Sequence, residues 1–567
     1  MVVVGLIWRG GWVPMKISAL AFAPLMLMVV TGCGGSGAGG GTITPPPGSF
    51  TIGGQVTGLT GTGLVLQDNG GDDLPVPASG SFAFTTQVAS GGAYKVTVKA
   101  QPVGPKEICG VTNGTGVANG TVANVLVKCA PPSHEWAWMG GAEAISAPGV
   151  YGTKGAAGAG NTPGAREASV TWEDASGNGW LFGGVGYYAA GQPADYLNDL
   201  WEYSDGEWTW VSGENTADPL GSYGSKGVAS GANAPPAREY AVSWTDAKGS
   251  FWLFGGQGAA AGVGYTWMSD VWKYTGGEWT WVAGSSTPNL AAVYGTQGNA
   301  DAANTPGGRL EMMNWIDASG NLWIFGGQNV TINGGGGSSR MQNDLWKFDG
   351  TNWTWMGGAD TPLVAQPGSY GVQGTADAAN MPGARVLGMT WTDSSGNMWL
   401  FGGYGEDSVG AVGSLNDLWK YSGGQWTWVA GSQLANDLGG WGTQGVANSA
   451  NIPGARGDSR VWTDASGTVW LFGGTGVDSA GNTGPLNDLW KYSGGQWTWV
   501  AGTHLSNEAA SYGTLGQASA TTNPGGCGSY AGWVDSAGSL WLFCGFGNDA
   551  TGGVGQGYLN DLWKYEP

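Results

Sequence analysis

Five arginines, Arg166, Arg238, Arg309, Arg385 and Arg456, close the same loop motif. It runs from Tyr-Gly-Thr-x-Gly to Asn-x-Pro-Gly-x-Arg over Tyr151 to Arg166, Tyr294 to Arg309 and Tyr370 to Arg385; variants begin at Tyr223 and Trp441. Guanidinium groups grip a carboxylate or sulfate through paired N–H bonds, so five around one opening are a candidate clamp for an acidic ligand. The competing reading gives each arginine to the backbone carbonyls of its own loop, and recurrence in nearly every unit favours it. Residues that break the repeat are better site candidates. Glu167, Glu239, Tyr240, Glu311, Asp458, Arg460 and Tyr530 stand where other units carry small or apolar residues. Carboxylates paired near an arginine can do glycosidase-type acid/base work, although solvated channel positions are commoner, and no residue is assigned as catalytic.

The regular motifs invite blander readings. The tryptophans of each Trp-Thr-Trp are two apart, so both lie on one strand face and pack between sheets rather than offering a sugar platform. Six Asp-containing pairs, from Asn198-Asp199 to Asn560-Asp561 with Ser269 replacing Asn in the second, suit turn capping better than calcium. Asp72-Asp73 reads as a solvated turn. Calcium is the one cation considered, and no other metal or cofactor is expected.

These residues hang on an internal repeat. Leu-Asn-Asp-Leu-Trp-Lys-Tyr-Ser-Gly-Gly-Gln-Trp-Thr-Trp-Val-Ala-Gly occurs identically from 415 to 431 and from 486 to 502. Equivalent tryptophans at 201, 272, 346, 419, 490 and 563 are 71 to 74 residues apart, a period that defines a repeat array. Each unit reads as four short strands, in the fourth unit Arg385 to Thr392, Met398 to Gly403, Leu415 to Tyr421 and Gln425 to Val429. Four strands with aromatics at fixed offsets predict a propeller blade.

The strand ending in Gly-Gly (Gly183-Gly184, Gly255-Gly256, Gly326-Gly327, Gly402-Gly403, Gly473-Gly474), the aromatic third strand and the fourth-strand tryptophan resemble kelch repeats, as in the central domain of galactose oxidase. The resemblance covers residues 135–567. It implies an all-β, six-bladed kelch-like β-propeller, the array ending without a fourth strand and beginning with a spare one at Glu135 to Met139. In such propellers the long 2–3 and 4–1 loops share the ligand face. Sialidases use arginines on related propellers, and Asp393-Ser-Ser-Gly-Asn-Met-Trp399 resembles their Asp-box with one residue too many between Asp and Gly. The copper-radical oxidases of this fold need two histidine ligands and a cysteine joined to a tyrosine. This chain has only His134 and His504, and its propeller cysteines, Cys527 and Cys544, read as a pair because both replace repeat residues in one hairpin. Galactose oxidase activity is therefore not expected.

Composition narrows the partners. With 21 basic against 41 acidic residues, the net charge of −20 argues against nucleic acid or an anionic membrane surface. The 34 tryptophans argue against disorder. Near the N-terminus, Lys16 and an apolar run from Ile17 to Val30 have signal-peptide proportions, with Met15 as the working start. Val30-Thr31-Gly32-Cys33 resembles a bacterial lipobox, which implies removal of residues 1–32 and lipidation of Cys33. Gly34 resembles an outer-membrane sorting residue, and residues 33–49 read as a tether. Residues 50–130 alternate over short runs between turn residues, predicting a small antiparallel β-sandwich of Ig or transthyretin type with Cys109 and Cys129 paired in an oxidising compartment. The reading is a monomeric lipoprotein, anchored to the membrane through its lipid alone, that binds a glycan or a surface or secreted protein through the long-loop face. The alternatives are a sialidase-like hydrolase or sialic-acid-type isomerase, and a structural scaffold of the envelope.

Overall fold

The computed structural model describes residues 48–103, 107–130, 133–260, 263–331, 338–361, 366–552 and 556–567. The expected signal peptide, Cys33 and the tether as far as residue 47 lie outside them. Among the described residues every regular element is a strand, and no helix is long and apolar enough to cross a membrane.

Between residues 49 and 130 lie two four-stranded sheets. One contains Gly80–Ala83, Ile52–Thr57, Val122–Ala130 and Ile108–Thr112; the other contains Asp72–Val76, Leu64–Asp68, Gly92–Ala100 and Thr115–Ala118. Period-two alternation sends Val56, Leu64, Leu66, Val96, Val125 and Val127 into one shared core. The pairing is not wholly antiparallel, since Val122–Ala130 runs parallel to Ile52–Thr57. Parallel neighbours require a long crossover, and here the intervening strands provide it. Cys109 and Cys129 face each other in register and are bonded, with Cα atoms 4.0 Å apart. Asp72 accepts the Thr86 N–H and Asp73 pairs with Lys99, so both serve the fold locally.

Among the described residues six sheets built on one four-strand plan follow, three of them taking in a short fifth strand. In the second, Val242–Thr245, Phe251–Phe254, Val271–Thr275 and Glu278–Ala283 pair antiparallel in chain order. In the sixth, Ala531–Val534, Leu540–Phe543 and Leu562–Tyr565 are completed by Trp136–Gly140 from the start of the array, Trp136 lying opposite Tyr565. Apolar clusters rich in tryptophan lie between each sheet and the next, and also between the sixth and the first. Trp208 and Trp210 both enter such a cluster, as the two-residue spacing requires.

Each first strand departs from the sequence reading. Arg385 to Thr392 is not continuous: Arg385–Val386 and Met389–Thr392 are separate strands, broken at Leu387, whose φ is +56°. The 2–3 segment is likewise a hairpin rather than an open loop, Met398–Glu406 pairing with Val412–Ser422.

The arginines occupy the interior of their own sheets. Arg166 places Nη1 and Nη2 at 2.7 and 2.8 Å from the two carboxylate oxygens of Asp199, and also donates to the carbonyls of Gly183 and Gly164. The same carboxylate accepts from the Tyr151 hydroxyl and the Trp201 indole, both at 2.7 Å. Arg238, Arg309, Arg385 and Arg456 repeat this with Asp270, Asp344, Asp417 and Asp488. The glycine doublet matters here because both residues take positive φ, +67° and +89° at Gly183-Gly184, and so turn the Gly183 carbonyl onto the guanidinium. All five arginines are fully buried, so they form no clamp at an opening. In the Asn-Asp pairs, the asparagine caps a loop (Asn198 Oδ1 accepts the Glu214 N–H) and the aspartate takes the arginine.

The sixth sheet keeps the aspartate and loses the arginine. Asp561 still accepts from Tyr512 and Trp563, but its Oδ1 has no partner. Burial pushes its carboxyl up to about 6, whereas Asp270, equally buried, is held below the usual range by Arg238. Cys527, at the arginine position, is bonded to Cys544, at the glycine position. The crosslink spans 17 residues and constrains the unfolded chain by about 3 kcal/mol. Two outcomes follow. Arg385→Ala strands a buried carboxylate and should lower unfolding free energy by about 3–5 kcal/mol in a denaturant titration. Cys527→Arg with Cys544→Gly should rebuild the pair at Asp561 and unfold at higher denaturant than Cys527→Ser with Cys544→Ser; equal midpoints would show that the site cannot accept the arginine.

Candidate functional site

The break in each first strand creates the site. Two residues beyond each arginine or Cys527, Ala168, Tyr240, Glu311, Leu387, Asp458 and Ser529 all have φ between +49° and +61°. Left-handed conformation at non-glycine residues costs about 1–3 kcal/mol each, and here it is held by a chain of backbone bonds. The Ala168 N–H donates to the Ser529 carbonyl, Tyr240 to Ala168, Glu311 to Tyr240, Leu387 to Glu311 and Asp458 to Leu387, at 2.8–3.2 Å. Between Ser529 and Asp458 the pattern changes: the Ser529 N–H and Oγ both serve the Asp458 carboxylate, the hydroxyl at 2.6 Å.

This ring gathers most of the residues that broke the repeat. Ser529 Oγ is 3.1 Å from the Tyr240 hydroxyl and also bonds Glu167, which accepts from Tyr558 as well. Tyr196 lies 3.4 Å from Glu239, and Gln257 bonds the Tyr196 hydroxyl at 2.8 Å. Gln328 donates to Glu311 at 2.9 Å. Two of the four acids, Glu239 and Asp458, respond to the charge of the others. Burial and then the charge of Glu167 raise Glu239 to about 7. Asp458 also stands at about 7, raised by burial and, less, by Glu167 and Glu311. Burial alone raises Glu311 to about 7, and Glu167 is raised by the same cause. Unlike the arginines, all four reach solvent in part.

Two candidates lie elsewhere. Tyr530 is buried, and its hydroxyl accepts the Gly474 N–H at 2.9 Å, so it ties the sixth sheet to the fifth instead of facing a ligand. Arg460 donates to the Gly532 carbonyl, leaves Nε without a partner, and is drawn down to about 10 by burial. Its charged neighbour is Glu173, also missed by the sequence reading, an exposed acid that accepts the Val534 N–H at 3.3 Å. Tyr196, Gln257, Gln328, Ser529 and Tyr558 were missed too. They sit in the variable hairpins and first-strand breaks, and their difference from the other units was the one available signal. Among the described residues no group of three or more His, Cys, Asp or Glu side chains is arranged to hold a metal ion.

No family model matches this chain, and no curated protein sequence matches it. Among solved structures it is similar to YjhT, at 12% identity over 71% of this chain and 95% of that one, with a TM-score of 0.40. It is also similar to a fungal alcohol oxidase of the AA5 family in complex with copper (14% identity, 70% and 62% coverage, TM-score 0.34). A third is a protein of unknown function from Dyadobacter fermentans (9% identity, 76% and 98% coverage, TM-score 0.39).

The raised carboxyls make stability fall with pH. Glu239 and Glu311 titrate at about 7 in the folded chain against 4.5 for an ordinary glutamate. Between these values the native state holds more protons than the unfolded one, so their contribution is fully present below the lower value and is lost as pH rises through the higher. The melting temperature should therefore decline from about pH 5 to about pH 8, and Glu239→Gln with Glu311→Gln should flatten that decline. An unchanged slope would mean that these acids ionise normally.

Proposed function

We propose that this chain is an exported lipoprotein, anchored through Cys33, whose six-bladed kelch-like propeller, closed by its first strand, binds a ligand on the long-loop face. The observation that supports it best is the convergence of Glu167, Glu239, Glu311 and Asp458 with Tyr240 and Tyr558 around the first-strand ring, while the five arginines are withdrawn into ion pairs. Once these carboxyls ionise, above about pH 7, such a mouth accepts hydrogen bonds far more than it donates them. It favours a neutral or amine-bearing glycan, or a basic protein segment, over the acidic glycan that exposed arginines would have suited.

The test is a glycan array, followed by titration of each hit against the native chain, Glu239→Gln and Glu311→Gln. Each substitution keeps the side chain's shape and removes a charge-assisted acceptor. Affinity should fall about tenfold or more, the loss expected for a hydrogen bond to a charged group. Retained affinity in both variants would place the ligand on another surface. A hydrolytic reading draws on the same acids, since carboxyls poised at about 7 suit general acid/base work. It requires turnover of a bound glycan that both variants abolish. Asp458→Ala is a poor probe of either reading because it also removes the acceptor of the Ser529 N–H.

A further inference from the structure

The opposite, short-turn face carries its own interruption of the repeat. The third strands of sheets two to six present Lys273, Lys347, Lys420, Lys491 and Lys564, each 5.0–5.9 Å above a second-strand tryptophan ring. Sheet one has Glu202 at this position. Three residues on, it has Asp205, where sheets two to five have Gly276, Gly350, Gly423 and Gly494. Both departures replace a positive or neutral position with an acid, and both meet the small N-terminal domain. Lys95 Nζ lies 2.5 Å from the Asp205 carboxylate. The same ammonium draws down the Glu202 carboxyl, which burial and Asp174 push up. Lys95 itself is fixed within the small domain: its N–H donates to Asp68 Oδ1 and its carbonyl accepts from Asn69, both at 2.9 Å.

The covalent link leads to the same face without choosing a sheet. Trp136 opposes Tyr565 at the turn end of sheet six, so the chain joins the array there. From Ala130 to Trp136 it can span no more than about 20 Å. Sheets one and five flank sheet six, and a link of that length leaves both open to the domain. Their charges differ. Where sheet one offers Glu202 and Asp205, sheet five offers Lys491 and Gly494, and a lysine against Lys95 is repulsive.

We propose that Glu202 and Asp205 form a docking surface for the small domain's Lys95, which seats that domain on sheet one and directs the acidic loop face away from it. Selection rests on attraction at one flank and repulsion at the other, because a single exposed ion pair is too weak to fix a domain. The consequence is orientational: a partner approaching the loop face does not meet the small domain.

Zero-length carbodiimide cross-linking of the full chain, read by mass spectrometry, should join Lys95 to Asp205 or Glu202. Links from Lys95 chiefly to acids of sheets five or six, or none to sheet one, would overturn the proposal. Lys95→Glu should raise proteolytic cleavage of the 131–134 connector by roughly two- to fivefold, the range of one exposed ion pair. Adding Glu202→Lys and Asp205→Lys to that variant should restore protection by reversing the pair. Unchanged cleavage in Lys95→Glu, or no recovery in the triple variant, would show that charge does not select the seat.

Discussion

A guanidinium held flat against a carboxylate, away from water, recurs in five of the six repeat sheets, and much of the array's geometry depends on it. Each aspartate collects an arginine from the loop before the first strand, a hydroxyl from the start of that loop (except at Trp441) and an indole from its own strand. Two separate stretches of sequence are thereby tied to the aspartate's own strand through one pair of oxygens. Burying an ion pair is costly unless its remaining hydrogen-bonding capacity is met, and the loop and Gly-Gly carbonyls meet it. The long loops are consequently pinned at their roots, which lets their tips vary without disturbing the sheets.

The sixth sheet shows what the pair contributes by lacking it. Cys527 and Cys544 fill the arginine and glycine positions, and Asp561 is left with an unpartnered oxygen and a carboxyl near 6. A covalent crosslink has replaced an electrostatic one in the sheet that joins the two ends of the array. The aspartate persists because the Tyr512 hydroxyl and Trp563 indole still need an acceptor.

With its arginines used internally, the loop face is left acidic and aromatic. The first-strand breaks hold six residues in a left-handed conformation through bonds to their neighbours. That strained ring is what places acids from four different sheets within electrostatic reach of one another. Burial raises all four carboxyls above their usual range, and for Glu239 and Asp458 the charge of neighbouring acids adds to it. The chemistry there belongs to a surface that accepts hydrogen bonds, with tyrosines to pack against whatever donates them.

The amino-acid sequence by itself determined the repeat, the strand order within each unit, the spare first strand, both cysteine pairs and the residues that break the pattern. All of these rest on local periodicity or on identity at a fixed spacing, which a linear string preserves. Only the tertiary structure decided where the arginines point. Each aspartate lies 32 to 35 residues away along the chain, and a side chain that repeats in five of six units looks the same whether it faces a ligand or a buried partner. The parallel pair in the small domain, the broken first strands and the gathering of Glu167, Glu239, Glu311 and Asp458 were likewise invisible. Each depends on contacts between segments whose separation carries no sequence signal, and burial, which sets both the ion pairs and the raised carboxyls, exists only once those segments have come together.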